Sequence, residues 1–253
     1  MKRNYAILIT SAYFLFAIML INPASAQEKT SKGKLDISAD LKSRYIWRGL
    51  NLGGSSPSIQ PGMEYNRGNF TVGAWGAYSF SNTTIAQEAD LYLSWSIADK
   101  VSFTVTDYFL PKEDTLNNYF NYTRDKTNHL FELSAKFLGT EQLPLSLLIA
   151  INVHGADAKK SNGDIQYSTY IELGYSFKIN ETGCSAFIGF TPNNPDGAKG
   201  ETGFYGPGAG VINLGLTATK EIKITDSFSL PVNASLITNP QTENIFLVFG
   251  ISL

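Results

Sequence analysis

The stretch 88–97, EADLYLSWSI, decides how this chain is read. Ala89, Leu91, Leu93, Trp95 and Ile97 share one parity; Glu88, Asp90, Tyr92, Ser94 and Ser96 share the other. A period of two puts these sets on opposite faces of a β-strand, whereas a helix would scatter the apolar positions around its surface. The pattern recurs in both directions. Leu35, Ile37, Ala39, Leu41, Tyr45 and Trp47 oppose Asp36, Ser38, Asp40, Lys42 and Arg44. Ile171, Leu173, Tyr175 and Phe177 oppose Tyr170, Glu172, Gly174 and Ser176. At the end, Ile245, Leu247, Phe249, Ile251 and Leu253 oppose Gly250 and Ser252. The alternation predicts twelve strands, at 34–48, 58–66, 70–80, 87–97, 101–110, 128–138, 143–154, 166–178, 184–191, 210–221, 229–238 and 244–253.

The connections alternate too. Long ones (49–57, 81–86, 111–127, 155–165, 192–209) are separated by tight ones (67–69, 98–100, 139–142, 179–183). Segment 222–228 is longer than the other tight turns, and 239–243 is short for an outer loop. Short periplasmic turns, longer extracellular loops and an even strand count define an outer-membrane barrel, and a soluble sandwich has no reason for that asymmetry. The expected fold is all-β: a transmembrane antiparallel up-and-down barrel of about 12 strands. Tyr45, Trp47, Tyr65, Tyr78, Phe80, Trp95, Tyr175 and Phe177 sit near strand ends on the apolar parity, where interfacial aromatic girdles form. Aromatics are 13% of the chain and charged residues 17%, which suits a barrel with lipid outside and polar solvent inside.

Residues 1–26 read as a cleaved signal peptide. Lys2 and Arg3 precede an apolar run, and Ala24-Ser25-Ala26 supplies the small residues that signal peptidase reads. The remainder, 27–253, is expected to be the barrel. Losing the leader moves the formal net charge from −2 to −4, since it holds two bases and no acid. That balance argues against a nucleic-acid partner. Cys184 is the single cysteine, so no internal disulfide forms. Past Gln27 no apolar stretch is long enough for a membrane-spanning helix.

The segment Ser43-Arg44-Tyr45-Ile46-Trp47-Arg48-Gly49, followed by Ser58-Ile59-Gln60-Pro61-Gly62, resembles the opening of the TorF-type porins, the Gcw_chp family of outer-membrane barrels. The next strand, ending Gly73-Ala74-Trp75-Gly76, is similar to the family's, and Asn213-Leu214-Gly215-Leu216 with the final hairpin resembles members from the Bacteroidetes. The strong likeness covers about a fifth of the mature chain. It implies a porin-type barrel and leaves its cargo open. The terminal apolar strand also resembles the signal read by the barrel-assembly machinery, with Leu253 where an aromatic is usual.

No set of residues points to catalysis. His129 and His154 each lack a serine two positions on, the spacing an outer-membrane phospholipase would use, and His154 has the lumen parity at the start of an outer loop. Glu113-Asp114, Asp157 and Asp164 form no omptin-like pair with either histidine. The run Gly206-Pro207-Gly208-Ala209-Gly210 is no phosphate loop, because no helix follows and Pro207 removes an amide. Asn193, Asn194, Asp196 and Glu201 offer oxygens in a spacing that matches no calcium loop. No enzyme, cofactor or metal site is expected.

What remains is the polar parity. It places Asp36, Asp40, Glu64, Glu88, Asp90, Glu132 and Glu172 toward the lumen, with Lys42, Arg44, Lys136 and Lys178 against them and Arg48 at the rim. So many charges cannot lie in a dry core. Gly49 lets the chain turn out of the first strand, and Arg48 is expected to pair with an acid such as Glu64 or Glu88. The expected function is an outer-membrane channel for passive diffusion of small hydrophilic solutes, mildly cation-preferring and narrowed by Tyr92, Tyr170 and Trp75. The alternative is a structural or adhesive surface barrel with a plugged lumen, in which loop residues Tyr119, Phe120 and Tyr122 make contacts or fold inward. Outer-membrane lipid and the assembly machinery are the expected partners besides solute.

Overall fold

A computed structural model describes residues 32–80, 87–111 and 116–253. The expected signal peptide lies outside them. In chain order the strands are β1 (Lys34–Lys42), β2 (Ile46–Trp47), β3 (Leu50–Asn51), β4 (Ser58–Arg67), β5 (Phe70–Ser79), β6 (Gln87–Ile97), β7 (Val101–Phe109), β8 (His129–Phe137), β9 (Leu145–Gly155), β10 (Thr169–Ile179), β11 (Thr182–Thr191), β12 (Gly210–Lys223), β13 (Ser229–Asn239) and β14 (Asn244–Ser252). Twelve of them close into one antiparallel barrel, each beside its neighbours in the chain, with β14 returning to β1. β2 and β3 form a separate two-stranded hairpin. Among the described residues the sole helical element is a 3-10 turn, Gly197–Lys199. The barrel is a transmembrane up-and-down β-barrel.

The burial pattern is inverted relative to a water-soluble protein, and that inversion makes the wall a membrane wall. On β6, Leu91 and Leu93 are 51% and 48% exposed, whereas Glu88 and Asp90 are 4% and 5% exposed. Apolar side chains face outward around the circumference, with Ile37, Met63, Val72, Leu133, Leu173, Leu216 and Leu247 all exposed. In water such a belt would be a large aggregation surface; in hydrocarbon it is the lowest-energy face. The backbone leaves no alternative in lipid, because only closure satisfies the amides of every strand. At the short-turn end Phe70, Trp95 and Phe103 lie opposite one another across three strands. There the Trp95 and Phe103 rings stack 6.1 Å apart, as part of an aromatic girdle.

The closing seam is the shortest. β1 and β14 share three register pairs, Asp40 with Ser252, Leu41 with Ile251 and Lys42 with Gly250. Ser43 extends it slightly: its N–H donates to Phe249 O at 2.8 Å, and its hydroxyl accepts from Phe249 N at 2.9 Å. Beyond Ser43 the chain leaves the wall. This corrects the expected first strand, 34–48: the wall strand stops at Lys42 and the segment after it turns into the barrel. Tyr45 and Trp47 are therefore not part of an outer girdle.

The long connections gather at one end and the tight turns at the other. An epitope inserted at Lys159 or Gly200 is expected to be labelled on intact cells, and one at Asn69 or Thr140 only after lysis. Labelling of Asn69 in unbroken cells would reverse the orientation.

Candidate functional site: a hairpin clamped across the lumen

β2 and β3 are joined by Arg48-Gly49, with Trp47 opposite Leu50 and Ile46 opposite Asn51. Arg48 has φ 51° and Gly49 φ 78°, the pair of left-handed residues that a two-residue type I′ turn needs. Leu52 N and Gly53 N both donate to Tyr45 O, at 3.1 and 3.2 Å, and close the base. Gly49 is required for a second reason. A Cβ there would lie 1.9 Å from Ile212 O, so the tip packs directly on the β12 backbone. Asn239 Nδ2 donates to Gly49 O at 3.3 Å. A non-glycine residue in the left-handed region costs about 1–2 kcal/mol, and the Arg48 side chain shows what offsets that cost.

Arg48 Nη1 donates to Glu132 Oε2 at 2.5 Å and Nη2 to Glu132 Oε1 at 2.8 Å, a two-pronged ion pair. Nη1 also donates to Tyr205 Oη at 2.6 Å. The guanidinium lies 4.4 Å from the Trp47 ring centroid and 4.8 Å from that of Tyr170, within cation–π range. Glu132, 1% exposed, additionally accepts from Tyr108 Oη at 3.2 Å. On the other flank Tyr45 Oη donates to Glu88 Oε2 at 2.9 Å, and its ring packs 5.6 Å from that of Trp75. The hairpin thus touches β5 and β6 through Tyr45, β8 and β10 through Arg48, and β12 and β13 through Gly49. It crosses the lumen and is anchored on several sides.

A second loop folds in beside it. Tyr205, 2% exposed, comes from 192–209 and packs with Tyr170, Ile212 and Ala150. Phe204 and Tyr205 both lie against Trp47. Gln241 Nε2, from the last loop, donates to Gly208 O at 2.8 Å. Glu201 accepts from Asp196 N at 2.9 Å and Ser161 N at 2.8 Å. Those backbone donors hold its carboxyl below the usual carboxylate range. Glu201 thus ties two loops together.

The other polar-parity residues are placed as follows. Asp36 pairs with Lys34 at 2.6 Å, and Asp40 with Lys42 at 3.4 Å. Arg44 stacks on the Phe246 ring at 6.0 Å. Glu64 accepts from Tyr92 Oη at 2.5 Å. Asp90 Oδ1 is buried without a hydrogen-bond partner among the described residues. Lys136 is exposed near the short-turn end of β8. Glu172 Oε2 accepts from Tyr170 Oη and from Asn213 Nδ2, the latter at 3.1 Å.

Three expectations need correction. Arg48 pairs with Glu132, not Glu64 or Glu88, because the inward hairpin carries it across to β8. His154 is not lumen-facing: the register shift between Phe131 and Glu132 inserts an extra residue, which flips the alternation and sets His154 beside Phe131 on the outer face. Tyr119 and Tyr122 do not enter the pore, and of the three loop aromatics Phe120 is the one that projects, 87% exposed. Both tyrosines fold over the outer wall against His129, at 5.0 and 4.5 Å between ring centroids. Both His129 nitrogens face acceptors, Asp107 Oδ1 at 2.7 Å and Tyr119 O at 2.6 Å. His154 Nε2 is bonded to Tyr122 O at 3.0 Å. These nitrogens hold the loop down, and no hydroxyl nucleophile is among these partners.

Two recesses flank this arrangement. The larger, about 400 Å³, is a groove on the outer wall beside Tyr119, bordered by the exposed Ile37, Met63 and Leu91. The smaller, about 160 Å³, is bounded by the hairpin and the lumen wall.

A closed antiparallel barrel with an apolar exterior, a polar lumen and inward-folded loops is a membrane-spanning, porin-like β-barrel protein. The chain belongs to the Gcw_chp family, described as a bacterial protein of unknown function, whose sequence model matches residues 26–205. No curated protein matches the chain. Among solved structures, a triple mutant of Rhodopseudomonas blastica porin is 10% identical over 78% of this chain and 55% of its own, with a TM-score of 0.38. Wzi of Escherichia coli, described as an outer-membrane protein of group 1 capsule assembly and a carbohydrate-binding β-barrel, is 11% identical over 91% of this chain and 58% of its own, with a TM-score of 0.33. The chain thus spans little more than half the length of these two structures.

Proposed function

We propose that this chain is a bacterial outer-membrane channel for passive diffusion of small hydrophilic solutes, narrowed by its own hairpin. Asp36, Asp40, Lys42, Arg44, Arg48, Glu64, Glu88, Asp90, Glu132, Lys136 and Glu172 are its proposed lining. The observation that carries this reading is the set of inner carboxylates without a basic partner. Among the described residues Glu64 is bonded to Tyr92, and Glu172 to Tyr170 and Asn213, all of them neutral, and both carboxyl groups are only half-buried. A dry, sealed interior would make these groups prohibitively costly, whereas a wet conduit accommodates them and favours cations.

Replacing the half-buried Glu64 and Glu172 together by Gln is expected to lower the cation preference and change conductance only modestly. Reversal potentials across a planar bilayer in a salt gradient measure this. An unchanged potential removes both acids from selectivity.

The hairpin supports a second reading, a plugged surface barrel acting through its loops. Its mark would be correctly refolded protein that never conducts.

A further inference from the structure

The small recess has a lining that specifies a ligand. Arg48, Gly49 and Ile46 of the hairpin face Glu172, Phe187, Asn213 and Ile237 of the wall there. Asn213 is 5% exposed. Its Nδ2 donates to Tyr170 Oη at 2.9 Å and to Glu172 Oε2 at 3.1 Å. A carboxylate can only accept here, so the amide orientation is fixed and Oδ1 is the atom left over. That oxygen is buried and has no hydrogen-bond partner among the described residues.

The charge count is equally one-sided. Glu132 occupies both terminal nitrogens of Arg48, so the guanidinium is already neutralised. Glu172 has hydroxyl and amide partners but no cation among the described residues. The chamber therefore offers a carboxylate and an amide oxygen at one end. Phe187, Ile46 and Ile237 supply an apolar remainder. At about 30 Å³ per water it holds roughly five waters, enough for a cation of four heavy atoms.

We propose that this chamber is a binding site for a small primary ammonium ion. Its N–H donors would go to Glu172 and Asn213 Oδ1, and its alkyl part would lie against Phe187 and the two isoleucines. The ammonium group supplies the charge Glu172 lacks and the donor Asn213 lacks. An alkali cation would satisfy the oxygens but leave the apolar side unused. The site deepens the channel reading and rests on it for access to solute.

The test is isothermal titration of the refolded full chain with n-propylammonium chloride, run beside potassium chloride. One saturable site is expected for n-propylammonium. Glu172→Gln and Asn213→Leu are each expected to weaken it at least ten-fold, the loss typical of one charge-assisted hydrogen bond. If one variant does not refold, the other decides. Absence of saturable binding in the wild type, unaltered affinity in a folded variant, or equal competition by potassium would each overturn the proposal. Titration needs no ion flow, so binding without conductance would sink the channel and leave the site standing. Conductance without binding would do the reverse.

Discussion

Arg48→Ala is expected to destabilise the barrel by about 3–5 kcal/mol, because it leaves the Glu132 carboxylate buried without its counter-ion. The effect should far exceed that of losing a surface ion pair such as Lys199 with Asp196, where both partners are largely exposed. The ring contacts to Trp47 and Tyr170 disappear in the same step. Glu132→Leu alone should be comparably damaging, since it strands the guanidinium. The double change Arg48→Met with Glu132→Leu is expected to recover most of the loss, because burying two apolar groups in place of an ion pair is often neutral or better. Denaturant unfolding of the barrel in lipid vesicles, with Arg48→Met as the matching single change, gives all four corners of the cycle. If the single changes and the double change simply add, the pair does not act as a unit and the clamp is misidentified.

The second large effect concerns the wall. Leu93→Arg and Leu173→Arg each place a charge on an outward position about midway along a strand, at a cost of about 2–4 kcal/mol. Leu93 and Leu173 are 48% and 52% exposed, as side chains in contact with lipid are. Ser176→Arg lies on the opposite parity of the same strand as Leu173 and is expected to be tolerated. Refolding yield into vesicles separates the two classes. Equal damage from all three would mean that the register is shifted by one residue.

The wall itself was legible in the chain. Eleven strands need only a period of two and turn residues at their ends, and these are local signals. β6 illustrates this: the predicted 87–97 is the strand Gln87–Ile97. The hairpin was not legible, for an equally physical reason. Tyr45 and Trp47 continue the parity of Ala39 and Leu41, so alternation cannot separate a wall strand from a segment turning inward. One local clue exists: Ile46 stands on the polar parity of Lys42 and Arg44. The partner of Arg48 was hidden more deeply. Seven acids share its face, and only the closed barrel brings Glu132 within reach. Tyr205 sits before a glycine-rich run that reads as a solvated loop, and nothing local shows that its ring is buried. The bulge beside Phe131 likewise carries no mark that would have forewarned of the reversal at His154.

Conductance of the hairpin-deleted barrel tests the central claim most directly. In that variant a short Gly-Ser linker replaces residues 44–56, and β1 and β4 keep their full lengths. The wild type in planar bilayers is expected to show small, cation-preferring steps, and the deletion variant larger steps at the same voltage with weaker selectivity. Equal conductance in the two proteins, or silence in both when both are folded, would contradict the claim that this hairpin is what narrows the pore.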